Sequence, residues 1–378
     1  MKSKIVLLIS FFLCNLSFSQ VSVHRNFNLE LAEKDNMKSL NIENSLNAFL
    51  IEAQNNKYTN EYVDSTHLKK YKFFFNKLSG IGKNSTTFNR PLVLKSYPVE
   101  DGNYRLTIAF TGEREGNPFV YQVTELKAIP YNNHYRFYCP FQDNTASFQS
   151  KKIDNVTYHF SKAINESKAN EFVTFVNEFA TQTGFSKPEL DYYSFQNLDE
   201  LLKSYGFLYS ARQCNFLCYD LGFTDNEGQV YITGTDNENY VFGYIGDYLK
   251  YNSPKKNEIY GPFVRGISTY YGGYGLSYEN MEELKQQFRE ELKQRPEINF
   301  LDEFKKGRKS SVNRHFSYYV MSAFLFEEAL EKRDFDTAFQ LVYSGSDGNL
   351  FFENLEDSLN IDESNFHETI LRLIKKDN

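Results

Sequence analysis

The chain has 378 residues and a formal charge of −7 at neutral pH, with no Trp but 28 Tyr and 36 Phe. An acidic balance argues against nucleic acid and anionic membrane surfaces as partners, since both repel it. Abundant Tyr, Phe and Asn is what an AT-rich genome produces as readily as a binding surface does, so the aromatic content by itself assigns nothing.

The chain opens Met1-Lys2-Ser3-Lys4, followed by an apolar run from Ile5 to Cys14 and then Ser17-Phe18-Ser19. A basic start, a short apolar stretch and small residues before a cut predict a secretory signal cleaved between Ser19 and Gln20. The run is too short for a membrane anchor. Phe11-Phe12-Leu13 before Cys14 lacks the small residues of a lipoprotein site. No later run is long enough to cross a bilayer. Losing the signal removes Lys2 and Lys4 and no acid, which takes the charge from −7 to −9. The remaining length, about 360 residues, suits two domains, and the expected address is periplasmic or secreted. Cys139, Cys214 and Cys218 stay, an odd number. The Cys214-x-x-x-Cys218 spacing favours a structural bridge or buried thiols over a metal pair, and the pairing stays open.

In chain order, Leu40, Ile42, Leu46, Phe49, Leu50 and Ala53 recur with helical spacing, with Asn41 or Asn44 as the cap. A second helix is expected from Ser65 to Leu78. Gly80-Ile81-Gly82-Lys83-Asn84-Ser85 ends it; without a preceding strand or the G-x-x-x-x-G-K-[ST] spacing this is a turn, not a phosphate loop. The period then changes to two. Strands are expected at Leu92–Leu94, Tyr104–Phe110, Phe119–Val123 and Tyr135–Tyr138, separated by turns at 100–103, 115–118 and 131–133. Two helices and an antiparallel meander resemble the cystatin-like or nuclear-transport-factor-like cone.

The polar stretch from Gln142 to Asp154 marks the boundary between domains at 20–148 and 149–378. Beyond it come a strand at Val156–Phe160, a helix over Ala169–Thr183 stopped by Gly184, a strand at Pro188–Tyr193 and a helix from Leu198. Another strand is expected at Gln229–Thr233. Two helices follow: Val241, Phe242, Ile245 and Leu249 in the first, Phe263, Ile267, Tyr270 and Tyr271 in the second, which stops at Gly272-Gly273. Further helices are expected from Ser277 to Leu292 and around Tyr318–Leu325. The fold class is α+β: N-terminal helices with an antiparallel meander, then a mainly helical domain with a small sheet.

Arg265-Gly266-Ile267-Ser268-Thr269-Tyr270-Tyr271 resembles the N-E-G-F-A-T-Y segment of the gluzincin metallopeptidases, the peptidase MA-like clan of thermolysin and the alanyl-type aminopeptidases. The resemblance extends diffusely over about 220 residues, from the strand at Val156 onward. It implies a thermolysin-like domain with Gln229–Thr233 as the edge strand above the active site. It puts Gly243, Tyr244 and Asp247 at the His, Glu and second His of H-E-x-x-H, Arg265 at the zinc-binding Glu, and Tyr319 at the tyrosine that steadies the oxyanion in the aminopeptidase branch. Ser322 stands where that branch has Gly. At the degenerate positions an acid, Asp247, faces a base, Arg265, and a direct ion pair between them is expected where zinc once bridged.

A catalytic zinc needs three protein ligands and an open position. Of the six histidines, at 24, 67, 134, 159, 315 and 367, no two are four apart and none lies between His159 and His315. No metal or other cofactor is therefore expected. Asp220, Asp225, Asp236 and Glu238 lack calcium-loop spacing and read as a solvated acidic loop. The reading that follows is an exported pseudopeptidase that binds a peptide or an envelope partner. The alternatives are a zinc metallohydrolase with non-standard ligands and a structural envelope protein.

Overall fold

The computed structural model describes residues 23–25, 36–79, 90–211, 221–274, 279–307 and 317–376. The secretory segment, the Gly80–Ser85 turn, Asp220, Cys214 and Cys218 lie outside the described residues. The protein is α+β, and it divides into two units. One comprises the described residues of Met1–Ser147 and Leu202–Leu217, the other those of Phe148–Leu201 and Cys218–Asn378.

In the first unit, β1 (His24–Arg25) is followed by α1 (Asn36–Gln54), α2 (Ser65–Lys70), α3 (Lys72–Leu78), β2 (Arg90–Pro98), β3 (Tyr104–Arg114), β4 (Asn117–Tyr131), β5 (His134–Tyr138) and α4 (Phe141–Asn144). The expected helix over 65–78 is two helices. Asp64 caps α2 by accepting from the Thr66 and His67 amides, and Tyr71 breaks the run with φ −123° and ψ 45°. Helix α1 starts before Asn41 and Asn44, so neither caps it, and Leu40 is exposed rather than on the buried face. Ile42, Leu46, Phe49, Leu50 and Ala53 are buried as their spacing requires. The strands form a sheet in the order β1-β2-β3-β4-β5. Tight turns join them, with positive φ at Asp101, Glu115 and Asn132. Leu106, Ile108, Phe110, Leu126 and Ala128 are buried in this sheet, and Phe49 stacks on Phe137 at 4.9 Å.

A single boundary after residue 148 misses one element of this unit. β5 pairs with β4 only at 127–131, which leaves the same edge of β4 open at Gln122–Thr124. The strand Phe207–Ser210, here β9, fills that gap antiparallel to β4. Unpaired backbone at a sheet edge is costly when buried, and pairing the gap satisfies it. Phe207 also places its ring 5.4 Å from Phe74. Cys139 is buried here, its thiol donating to the Tyr205 carbonyl at 3.8 Å.

The second unit contains β6 (Gln149–Ile153), β7 (Val156–Phe160), α5 (Glu166–Thr183), β8 (Leu190–Ser194), most of α6 (Leu198–Ser204), β10 (Gly222–Asp225) and β11 (Val230–Thr233). Then come α7 (Val241–Asn252), α8 (Gly261–Gly272), α9 (Met281–Gln294), α10 (Phe300–Lys306), α11 (Ser317–Lys332), α12 (Phe335–Gln340), α13 (Phe351–Leu359) and α14 (Phe366–Lys375). The polar stretch 142–154 is not a bare linker, since it carries α4 and β6. β6 is an edge strand whose polarity suits its single described neighbour, β7.

The sheet order is β10-β11-β8-β7-β6. β7, β8 and β11 run parallel, and β10 and β6 are antiparallel at the two ends. The expected edge strand at 229–233 is therefore internal: β11 pairs with β10 on one side and β8 on the other. All four of its residues are buried, which is the pattern of an internal strand and not of an edge.

One sheet face meets α5, which Asn165 caps through the Lys168 amide and Gly184 ends at φ 70°. Phe172 of α5 lies 5.0 Å from the Tyr192 ring, 5.9 Å from Tyr231 and 5.2 Å from Tyr244. Helices α8 and α11 cross at a glycine. A Cβ on Gly266 would meet Ser322 Cβ, the Ser322 carbonyl carbon at 2.7 Å and the Ala323 nitrogen at 2.8 Å. The periphery is fastened by half-buried ion pairs. Lys285 of α9 lies 2.9 Å from Glu282 and 3.1 Å from Glu327, and Glu328 of α11 lies 2.7 Å from Arg372 of α14.

Candidate functional site

The region to which the sequence points lies where β10, β11, α7 and α8 meet in the second unit. Helix α7 begins eight residues after β11 and packs on α8 so closely that a Cβ on Gly272 would sit 2.6 Å from the Phe242 nitrogen. The glycine stop at the end of α8 therefore also permits the helix contact. Gly273 ends α8 with φ 71°, a conformation that suits glycine.

Gly243 is buried on the α7 face turned to the sheet. A Cβ there would fall 2.7 Å from Tyr231 Oη, 3.0 Å from a Tyr240 ring carbon and 3.1 Å from the Gly222 carbonyl oxygen. Gly222, across the gap on β10, has the same neighbours: a Cβ on it would meet Tyr231 Oη at 2.6 Å and the Tyr240 ring at 2.7 Å. The Tyr231 hydroxyl thus lies between two glycines and donates to the Tyr240 carbonyl at 2.7 Å. Burial pushes that phenol well above its ordinary range, with nearby Tyr192, Tyr240 and Asp247 adding to the shift. Tyr231, Tyr240 and Gly222 were not singled out from sequence. The β-period around Val230-Tyr231-Ile232 marks a strand, and nothing in it says where the hydroxyl ends.

Tyr244 is fully buried among Phe172, Tyr231 and Tyr248, with ring centroids at 5.2, 5.5 and 5.6 Å. Among the described residues its hydroxyl has no hydrogen-bond partner, and burial pushes its pKa well above the ordinary value. A phenol held there is a poor base and an unsatisfied donor. Replacing Tyr244→Phe removes the orphan and keeps the ring. We expect it to stabilise the fold by about 1 kcal/mol, the cost of leaving such a group unpaired, read from urea unfolding.

Asp247 and Arg265 do not form the expected ion pair. The Asp247 carboxylate accepts instead from the Thr224 backbone amide of β10 at 2.8 Å. The Arg265 guanidinium lies over the Phe242 ring, 5.4 Å from its centroid, a cation–π contact. The physical reason is the strand: β10 brings a backbone N–H to the carboxylate, and a directed bond to a fixed amide needs no ordering of a long side chain.

Burial raises the Asp247 carboxyl, while hydrogen bonding from Thr224 and the charges of Lys250 and Arg265 pull it back without cancelling the rise. A carboxyl raised in the folded state favours folding while protonated. That advantage is complete below its unfolded pKa of about 3.9 and is lost as pH rises through the folded value. Asp247→Asn keeps an acceptor for Thr224 and carries no charge. It should raise the urea midpoint at pH 7, with the gain shrinking toward zero as pH falls below about 4.

Tyr319 stands on α11 beside Tyr318, ring centroids 4.3 Å apart, about one turn from the Gly266–Ser322 crossing. Ser322 is accommodated because the residue facing it is glycine. The acidic loop is not wholly solvated: Asp225 and Glu238 are buried and Asp236 is exposed. Among the described residues no group of three or more His, Cys, Asp or Glu side chains is placed to hold a metal ion. The site also fails to fit zinc on steric grounds. An imidazole at 243 would have to displace Tyr231, and the groups at 244 and 265 are a buried phenol and a cation. No helix among the described residues is long and apolar enough to cross a membrane.

No protein-family model matches the chain, and a search of curated proteins finds no match.

Proposed function

We propose that the second unit is a gluzincin-like domain that has lost its zinc chemistry, and that the protein is exported and acts by binding a peptide or an envelope partner. The observation that carries this reading is the packing at Gly243. The position that the resemblance gives to the first zinc-binding His lacks room even for a Cβ beside Tyr231 Oη. Further support comes from the order of elements, with a mixed sheet leading through β11 directly into two helices packed on each other. The buried Tyr244 and the cation at Arg265 favour binding over the alternative of a metallohydrolase with unusual ligands.

The test is metal content and ligand retention on the full exported chain. After dialysis against zinc, elemental analysis should give well under one zinc per chain, and immobilised protein should retain members of a pool of randomised octapeptides. One tightly held zinc per chain, lost on mutating Asp247, would defeat the proposal; no retention of any peptide would remove its peptide version and leave the envelope partner. The exported protein should begin at Gln20 by mass measurement; a retained Met1 would remove the export part of the reading.

A further inference from the structure

Strand β5 ends the sheet order of the first unit, so alternate amides along it face away from β4. Three acceptors outside the sheet take them in turn. The Tyr135 amide donates to Ser45 Oγ of α1 at 3.0 Å, the Phe137 amide to the Tyr62 carbonyl at 2.8 Å, and the Cys139 amide, just past the strand, to His67 Nε2 of α2 at 2.9 Å. Open amides on a sheet edge invite foreign strands, and these bonds close them. A hydroxyl and a carbonyl accept at any ordinary pH. An imidazole accepts only while neutral, here with its proton on Nδ1; once protonated, both of its nitrogens are donors. The third bond is the one that a proton destroys.

The His67 ring lies against Tyr71 at 4.4 Å, Tyr138 at 4.6 Å and Phe75 at 6.0 Å. Its charged neighbours are Lys70 and Asp64 along its own helix and Lys127 of β4, with Arg136 of β5 3.9 Å from Asp64. The titratable groups facing it are the Tyr71 and Tyr138 phenols and the Cys139 thiol. Burial holds the imidazole down at about 4, helped by Lys70 and Lys127 and opposed by Asp64. Helix α2 has no buried residue of its own, so little apolar packing opposes its local release.

We propose that α2 is an acid-released latch: protonation of His67 breaks its bond to the Cys139 amide, frees the short helix from the end of β5 and uncovers Cys139. That residue is otherwise buried, with its thiol donating to the Tyr205 carbonyl at 3.8 Å. A released imidazole takes its proton at about 6.5, a latched one at about 4. Opening is therefore favoured as pH falls below about 6.5 and gains nothing more below about 4. Between about pH 7.5 and about pH 5 the open fraction should grow on the order of thirtyfold.

The experiment labels the full chain with 4,4′-dithiodipyridine and reads Cys139 by peptide mass spectrometry, which separates it from the other cysteines. Each rate is divided by that of a free cysteine peptide at the same pH. The normalised Cys139 rate should rise on the order of thirtyfold over that range, with the far-UV circular dichroism unchanged. His67→Gln keeps an acceptor at similar reach and does not titrate, so its rate should stay at the neutral-pH wild-type value throughout. Should that variant not fold, hydrogen exchange resolved to single amides in the wild type decides: in acid the Cys139 amide should quicken relative to that of Phe137, whose acceptor is a carbonyl. A normalised wild-type rate that is flat with pH overturns the proposal. So does an equal acid response in His67→Gln. Exchange at 137 and 139 rising together marks loosening of the whole unit and overturns it as well.

Discussion

Replacing Gly266→Leu is expected to unfold the second unit at room temperature. The crossing of α8 and α11 leaves no volume at this position: a Cβ would meet Ser322 Cβ and two backbone atoms, Ser322 C at 2.7 Å and Ala323 N at 2.8 Å. Backbone cannot rotate away as a side-chain tip can, so the helices must separate along their contact. The rows that line it, Phe263 and Ile267 on α8 with Val320, Ala323 and Phe324 on α11, are all fully buried. Overpacking by single methylenes costs about 1–3 kcal/mol, and a whole isobutyl group against backbone exceeds that. Since domains are stable by only about 5–15 kcal/mol, loss of the cooperative melt is the expected result. Gly266→Ala should be the graded version, folded but lowered in Tm. A Gly266→Leu protein that melts like the wild type would show that the helices are not held at this distance.

Phe172→Ala should cost about 3–5 kcal/mol, the range for deleting a large buried aromatic. Phe172 is completely buried, and its ring lies against those of Tyr192, Tyr231 and Tyr244. Its removal opens a cavity beneath the sheet and frees the ring of Tyr231, whose hydroxyl lies between Gly222 and Gly243. Urea unfolding gives the stability change. A loss below 1 kcal/mol would mean that the surrounding tyrosines collapse into the space.

Periodicity made most elements legible because buried faces repeat. The α5 run Phe172, Val176, Phe179 and the alternation at Val156-Thr157-Tyr158-His159-Phe160 are both reproduced as helix and strand. The N-terminal meander was legible for a second reason: Asp101, Gly102, Gly116 and Asn132 in its turns are residues that tolerate positive φ. Pairing order was not legible. Val230-Tyr231-Ile232-Thr233 has the same apolar character whether one or two neighbours flank it, and only the placement of β10 makes it internal. The same limit hid the return of Phe207–Ser210 to β4, a contact between positions more than eighty residues apart in sequence. At the candidate site, Gly243, Tyr244, Asp247 and Arg265 could be located from the N-E-G-F-A-T-Y-like segment. Which partner each would choose could not, because Thr224, which claims Asp247, offers a backbone amide that every residue but proline shares.

The strand at Phe207–Ser210 sets an order on the birth of the molecule. A chain threaded outward from its N-terminus presents β2 to β5 early, but the edge of β4 at Gln122–Thr124 has to wait for its partner. Before that partner emerges, β6, β7, α5 and β8 of the other unit have already appeared. For that interval the first sheet carries an open backbone ladder in the presence of three newly made strands, each able to pair with it wrongly. Neither unit corresponds to an uninterrupted piece of the gene, so a cut after residue 148 would leave the first with an unfinished sheet. Helpers that hold nascent strands apart would therefore matter most while residues 149–206 are emerging, a short stretch of synthesis rather than the whole of it.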